Sequence, residues 1–223
     1  MMTSNICKGW AGLFLLLAVL AGGTSGNGAW AESFDALQSV LGSPDPSLRT
    51  GAMEKIARIG GGDAVKALIS VLNDQEEDWR IRIRAMRLLG EIGDPHAEDA
   101  LMGALNEYCP AMKWNAAAAL GQFSKSPRVV NALIDALEDR NLYVRERAAQ
   151  ALGEIGNPKA VPFLLTVLQE KSFALRLAAV RALGRLGSPE ALPSLQQVAE
   201  NDPESFIREE AVAALRKIAA EGE

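Results

Sequence analysis

The chain has 223 residues, with 23 basic and 28 acidic side chains, a formal net charge of −5 and 5% aromatic residues. Its ordinary charged and apolar fractions exclude a disordered chain, and an acidic balance without a basic stripe argues against a nucleic-acid binder. The many Ala and Leu residues suit closely packed helices rather than sheets.

Lys8 precedes an uncharged run from Trp10 to Gly23, centred on Leu13, Phe14, Leu15, Leu16, Leu17, Val19 and Leu20. A Gly/Ser/Asn stretch follows and ends in Ala29-Trp30-Ala31, the pattern of a secretory signal peptide cut after Ala31. A spanning helix takes roughly 20 apolar residues and this run is shorter, so cleavage is favoured over an uncleaved anchor. No cysteine stands just after the run, so no acyl anchor is expected. Residues 1–31 are thus expected to be a signal peptide. Residues 32–223 are expected to form one periplasmic or secreted domain with no stable membrane insertion. Cys7 leaves with the leader, so Cys109 is the single cysteine of that domain and no intramolecular disulfide is available.

Ser33 to Leu41 is a short amphipathic helix, apolar at Phe34, Leu37, Val40 and Leu41, and caps the N-terminal end. Full repeats then begin near Asp45, Asp78, Cys109, Asn141 and Ser172, and a single helix from about Pro203 to Ala220 closes the series. The fourth repeat shows the logic best. Val144, Ala148, Leu152 and Ile155 form one helical face, and Gly156 supplies the left-handed residue that ends that helix. Asn157 and Pro158 open a second helix whose apolar face is Val161, Leu164, Leu165 and Leu168. One hairpin cannot bury its own apolar face, so the copies must stack. The predicted fold is all-α, a solenoid of antiparallel helical hairpins with about five full repeats and half-repeat caps.

Several columns hold the register. Leu48, Ile81, Met112, Val144, Leu175 and Ile207 recur at 31 to 33 residues, each followed by a basic residue: Arg49, Arg82, Lys113, Arg145, Arg176 and Arg208. Alanine follows three positions later, at Ala52, Ala85, Ala116, Ala148, Ala179 and Ala211. Small residues at Ala57, Gly90, Gly121, Gly153 and Gly184 let neighbouring helices approach, although glycine costs about 1 kcal/mol of helix propensity. The basic column sits near the positive end of its own helix, so it is expected to answer acceptors in the adjoining repeat. Those are the side chains of Asp45, Asp78 and Asn141, or the carbonyls ending the preceding helix.

This pattern resembles the HEAT-like repeat family known from phycobilin lyases. Val144-Arg145, Ala151-Leu152-Gly153, Ile155-Gly156-Asn157-Pro158 and Ala160 carry the likeness, as do Arg82, Leu89-Gly90-Glu91-Ile92-Gly93-Asp94-Pro95 and Ala97. Leu183-Gly184, Leu186-Gly187-Ser188-Pro189 and Ala191 repeat it. The matched residues build the stack, so the resemblance implies fold more than function. HEAT-like enzymes include bilin lyases and di-iron deoxyhypusine hydroxylases. The latter are associated with paired His-Glu motifs, whereas this chain has one histidine, His96. Gly60-Gly61-Gly62-Asp63 falls between the two helices of one hairpin, where other repeats carry Gly-Asp-Pro or Gly-Asn-Pro, and is expected to be a turn rather than a phosphate loop. No catalytic residue, cofactor or metal site is expected.

What remains is surface. The resemblance implies that second helices line a concave groove, here carrying Asp99, Asn106, Asn131, Asp135 and Glu138 as an acid and amide ridge. The third repeat departs from its neighbours at Cys109, Lys113 and Ser124, has uncharged outer positions at Asn115, Ala118 and Gln122, and adds Trp114 as a contact candidate. The expected function is an exported, non-catalytic scaffold that binds a protein partner. A bilin-lyase-type enzyme or a structural module of an envelope assembly is the alternative.

Overall fold

The computed structural model describes residues 33–221, and among them there are twelve α-helices and no strand. The expected signal peptide lies outside the described residues. A half-hairpin helix, α1 (Phe34–Val40), precedes the pairs α2 (Pro46–Ile59) with α3 (Gly61–Asn73), and α4 (Trp79–Ile92) with α5 (Glu98–Leu105). The pairs α6 (Pro110–Leu120) with α7 (Pro127–Ala136), α8 (Leu142–Ile155) with α9 (Val161–Val167), and α10 (Phe173–Leu186) with α11 (Leu192–Asn201) follow, and α12 (Ser205–Glu221) closes the stack. Even-numbered helices form one layer of first helices, and odd-numbered helices form the layer of second helices. The predicted all-α solenoid is the fold observed.

Side-chain caps start the first helices. Asp45 accepts from Ser47 N at 2.8 Å, Asp78 from Arg80 N at 2.7 Å and Asn141 from Tyr143 N at 2.9 Å. Gly93, Gly156 and Gly187 end α4, α8 and α10 with φ between 65° and 71°, and their N–H groups reach Leu89, Leu152 and Leu183 carbonyls. Asn157-Pro158 does not open the second helix directly. It opens one 3₁₀ turn, Pro158–Ala160, and α9 begins at Val161; Pro95–Ala97 and Pro189–Ala191 repeat the arrangement. Tight turns of this kind commonly precede an α-helix.

Between the layers lies a continuous apolar core that includes Met53, Ile56, Leu68, Leu89, Leu101, Leu120, Leu133, Leu152 and Leu164, all essentially inaccessible. Within the first-helix layer the contact is made by the Ala-Leu-Gly triplet against itself. A Cβ on Gly90 would lie 3.0 Å from Ala119 Cα, one on Gly153 would lie 2.6 Å from Ala182 Cα, and one on Gly184 would lie 2.8 Å from Ala214 Cβ. The glycine of each repeat therefore meets the alanine preceding the leucine of the next.

The basic column ties each first helix to the end of the preceding repeat and to the exit turn of its own. Arg49 donates to Ser43 O at 2.7 Å, Arg82 to Leu72 O at 2.7 Å, Arg145 to Asp139 O at 3.2 Å and Arg208 to Asp202 O at 2.6 Å. These carbonyls end the preceding second helix or its exit turn, where orphaned acceptors and the negative end of the helix dipole favour a cation. The guanidinium thus ignores its own helix N-terminus and serves the C-terminus of another. The carboxylates it meets are Glu77, Glu107, Asp139, Glu170 and Asp202, while Asp45, Asp78 and Asn141 serve as the caps described above. Arg49 forks onto Glu77 at 2.7 Å, Lys113 reaches Asp139 at 2.6 Å, and Arg176 forks onto Asp202 at 2.7 and 3.1 Å. Arg82 pairs with Glu107, and Arg145 lies 3.7 Å from Glu170.

Candidate protein-interaction surface

Asp99, Asn131 and Asp135 project from α5 and α7, and Asn106 and Glu138 stand just beyond the ends of those helices; all five are exposed. They lie in the second-helix layer, as the spacing requires. Three of them are engaged within the protein. Asp99 is 2.8 Å from Arg128 Nη2, and Asn131 Oδ1 accepts from Lys159 Nζ at 2.6 Å. Asn106 donates to Met102 O at 3.1 Å, capping its own helix. Arg128 and Lys159 offset part of the negative charge that the ridge has in sequence.

The spacing of the two layers decides which side of the stack is hollow. First helices approach their neighbours closely, the glycine–alanine contacts among them, whereas second helices meet theirs at few points. A stack with one layer more tightly spaced bends toward that layer, so the first-helix face is the inner one. The larger surface hollows agree, a smaller one of about 230 Å³ lying by the ends of α9 and α11. Troughs of about 510, 310 and 430 Å³ open between α2 and α4, between α8 and α10, and across α4, α6 and α8. The expected acid and amide ridge is therefore on the outer side, because the small-residue column that draws helices together belongs to the first helices.

The inner face carries aromatic side chains that the solvent reaches. Trp79 is 46% exposed, Tyr143 61%, Phe173 42% and Phe206 45%, all within the first two positions of their first helices. Trp114 is half-buried against the core, and its ring meets Tyr143 edge-on with centroids 5.5 Å apart. Phe173 and Phe206 lie 6.5 Å apart. Arg80 sits 4.6 Å over Trp79 and Arg181 sits 5.7 Å from the Phe206 ring centre, so each guanidinium covers an aromatic face. Sequence reasoning found Trp114 but missed the row. The signal was present: aromatic rings at the first or second position of first helices, where the helical period places no core residue.

Other candidates fall into ordinary places. His96 is exposed in a 3₁₀ turn with Nδ1 2.7 Å from Asp94 Oδ1. The Asp94 carboxyl is held below the usual range by the His96 backbone N–H and then by the His96 ring. Cys109 is exposed at the N-cap of α6 and makes no cap hydrogen bond there. Among the described residues no three His, Cys, Asp or Glu side chains gather in a way that could hold a metal ion. No helix among them is long and apolar enough to cross a membrane.

The family model described as HEAT repeats matches residues 74–152 and 130–216. Over 96 residues the chain is 34% identical to deoxyhypusine hydroxylase of Rattus norvegicus, covering 42% of this chain and 32% of that protein. The chain thus spans about a third of that relative's length. The solved complex of CpcE and CpcF of phycocyanin lyase from Nostoc sp. is similar with a TM-score of 0.60 and 24% identity, covering 86% of this chain and 79% of that one. A designed armadillo repeat protein in complex with the peptide (KR)4 is similar with a TM-score of 0.59 and 18% identity, over 83% of this chain and 99% of that one. At these identities the two structures show the shared solenoid fold.

Proposed function

The chain belongs to the HEAT repeat family, and from that premise we propose that it is an exported, non-catalytic scaffold that holds a protein partner against its first helices. The observation that carries this reading is the solvent-facing aromatic row, Trp79, Trp114, Tyr143, Phe173 and Phe206, along the hollow side of the stack. Aromatic side chains are enriched in the cores of protein interfaces and among the residues that dominate their energetics. The two solved solenoids support it by kind, since one was determined as a complex of two proteins and the other with a peptide. The rival reading, a bilin-lyase-type enzyme, draws on the likeness to the phycocyanin lyase subunits. Visible absorbance of the purified protein after incubation with bilin separates the two.

Capture from a native envelope extract tests the surface. Replacing Tyr143 and Phe173 together with serine is expected to weaken capture of the partner more than tenfold, about 1.4 kcal/mol or more. Both side chains are exposed, so each change should alter stability by less than about 1 kcal/mol. Reversing Asp135 and Glu138 to lysine should leave capture unchanged. The opposite pattern would move the site to the second helices.

Export rests on the leader pattern, with the apolar run followed by Ala29-Trp30-Ala31. The intact mass of the protein from its native source is expected to match a chain beginning at Glu32, recovered in the soluble periplasmic or secreted fraction. A full-length species retained in the membrane fraction would contradict export.

A further inference from the structure

Facing positions on neighbouring first helices carry ion pairs near both ends of the stack, and the same positions are stripped in its middle. Glu54 of α2 pairs with Arg84 of α4, and Arg181 of α10 meets Glu210 of α12 at 2.6 Å. In both pairs one partner stands six residues after its repeat's apolar anchor, Leu48 or Leu175. The other stands three residues after the next anchor, Ile81 or Ile207. Carried into the third repeat, this register sets Asn115 against Arg87 and Ala118 against Arg147. Two arginines, one from each flanking repeat, thus face an amide and a methyl group where the ends of the stack have opposite charges. Arg87 turns to Glu91 of its own helix at 2.8 Å, and Arg147 donates at 3.2 Å to the neutral Gln150 amide.

These side chains line the trough of about 430 Å³, which also holds Trp114 and Gln122. Its charged lining is Arg87, Glu91 and Arg147, one positive charge in excess on a chain that is otherwise acidic. We infer that the trough takes a carboxylate from an acidic segment of the protein partner, seated between the guanidinium groups with an adjacent apolar side chain against Trp114. This rests on the reading that the first-helix face is the partner surface, and adds the chemistry of what it binds. The methyl of Ala118 leaves the space that a glutamate fills in the first repeat. Guanidinium groups match a carboxylate by paired, charge-assisted hydrogen bonds, which strengthen where a trough excludes water. A lysine-rich segment would instead place like charges at Arg147.

The test uses the exported full chain and three fluorescein-labelled peptides in which leucine alternates with glutamate, glutamine or lysine. The glutamate peptide is expected to bind, to change tryptophan emission, and to release as salt rises. Arg147→Ala should weaken it at least tenfold. Ala118→Glu, at an exposed helical position, supplies the missing acid from within and should weaken it as much without lowering the thermal midpoint. Unchanged affinity in both variants would overturn the inference. Binding of the lysine or glutamine peptide in place of the glutamate one, with the same emission change, would overturn the acidic chemistry and leave the first-helix surface standing. Failure of all three peptides to bind or alter emission would count against both.

Discussion

Gly153→Val is expected to lower unfolding free energy by about 3 kcal/mol, at the upper end of what overpacking costs. A side chain there has nowhere to go. Its Cβ would stand 2.6 Å from Ala182 Cα and 2.8 Å from Ala182 Cβ, so α8 and α10 must part along a contact that is otherwise backbone against backbone. Gly121 makes the informative comparison, because its nearest neighbour at 2.7 Å is the far end of the Glu154 side chain, which can swing away. Gly121→Ala should therefore be milder, and Gln150→Ala, at a half-buried polar position on the solvent-facing side of α8, should cost under about 0.5 kcal/mol. Denaturant midpoints at constant slope decide the order. Equal losses at positions 150 and 153 would mean that the repeat register is misplaced.

Asp202→Ala should be comparably damaging, on the order of 3 kcal/mol or more, because it strands Arg176 in the interface between the last repeats. Arg176 is 9% and Asp202 8% exposed, and the two are joined by a forked pair at 2.7 and 3.1 Å. Asp202 also accepts from Glu204 N at 3.0 Å, so the turn into α12 loosens as well. Burial pushes the Asp202 carboxyl up. The Arg176 hydrogen bond, the Glu204 N–H and the charges of Arg176 and Arg208 outweigh it and hold the group below its ordinary value. Asp139 is held low in the same way: burial raises it, while Lys113, the Asn141 N–H and the charge of Arg145 prevail. A carboxyl depressed in the folded state adds stability that is complete above the unfolded value of about 3.9 and is lost as pH falls through the folded value. Denaturant midpoints followed from pH 7 down to pH 3 should fall for the parent protein below about pH 4, and less steeply for Asp202→Ala.

Much of the stack was legible because the same residue types recur at one spacing. The Ala-Leu-Gly column announces close helix contact before any partner is known, and its partner proves to be its own alanine one repeat on. The acids that answer the basic column were not legible. Glu77, Glu107, Asp139, Glu170 and Asp202 follow their bases at 25 to 28 residues, drifting with loop length rather than keeping the helical period. The hollow side escaped for a related reason. Which layer is inner depends on the difference in spacing between layers, and the small-residue column reports only one of them. Charge offset on the second helices was hidden too, since Arg128 and Lys159 reach back to Asp99 and Asn131 from the next repeat.

Hydroxyl-radical footprinting of the captured complex tests the partner surface most directly, because oxidation reads the accessibility of each aromatic side chain. Tyr143, Phe173 and Phe206 lie on the first helices, whereas Phe163, 42% exposed on α9, belongs to the second-helix layer and serves as the internal reference. The expected result is strong protection of Trp114, Tyr143 and Phe173 with Phe163 oxidised at the rate of the free protein. Protection of Phe163 with the first-helix aromatics left open would contradict it and place the partner on the acid and amide ridge.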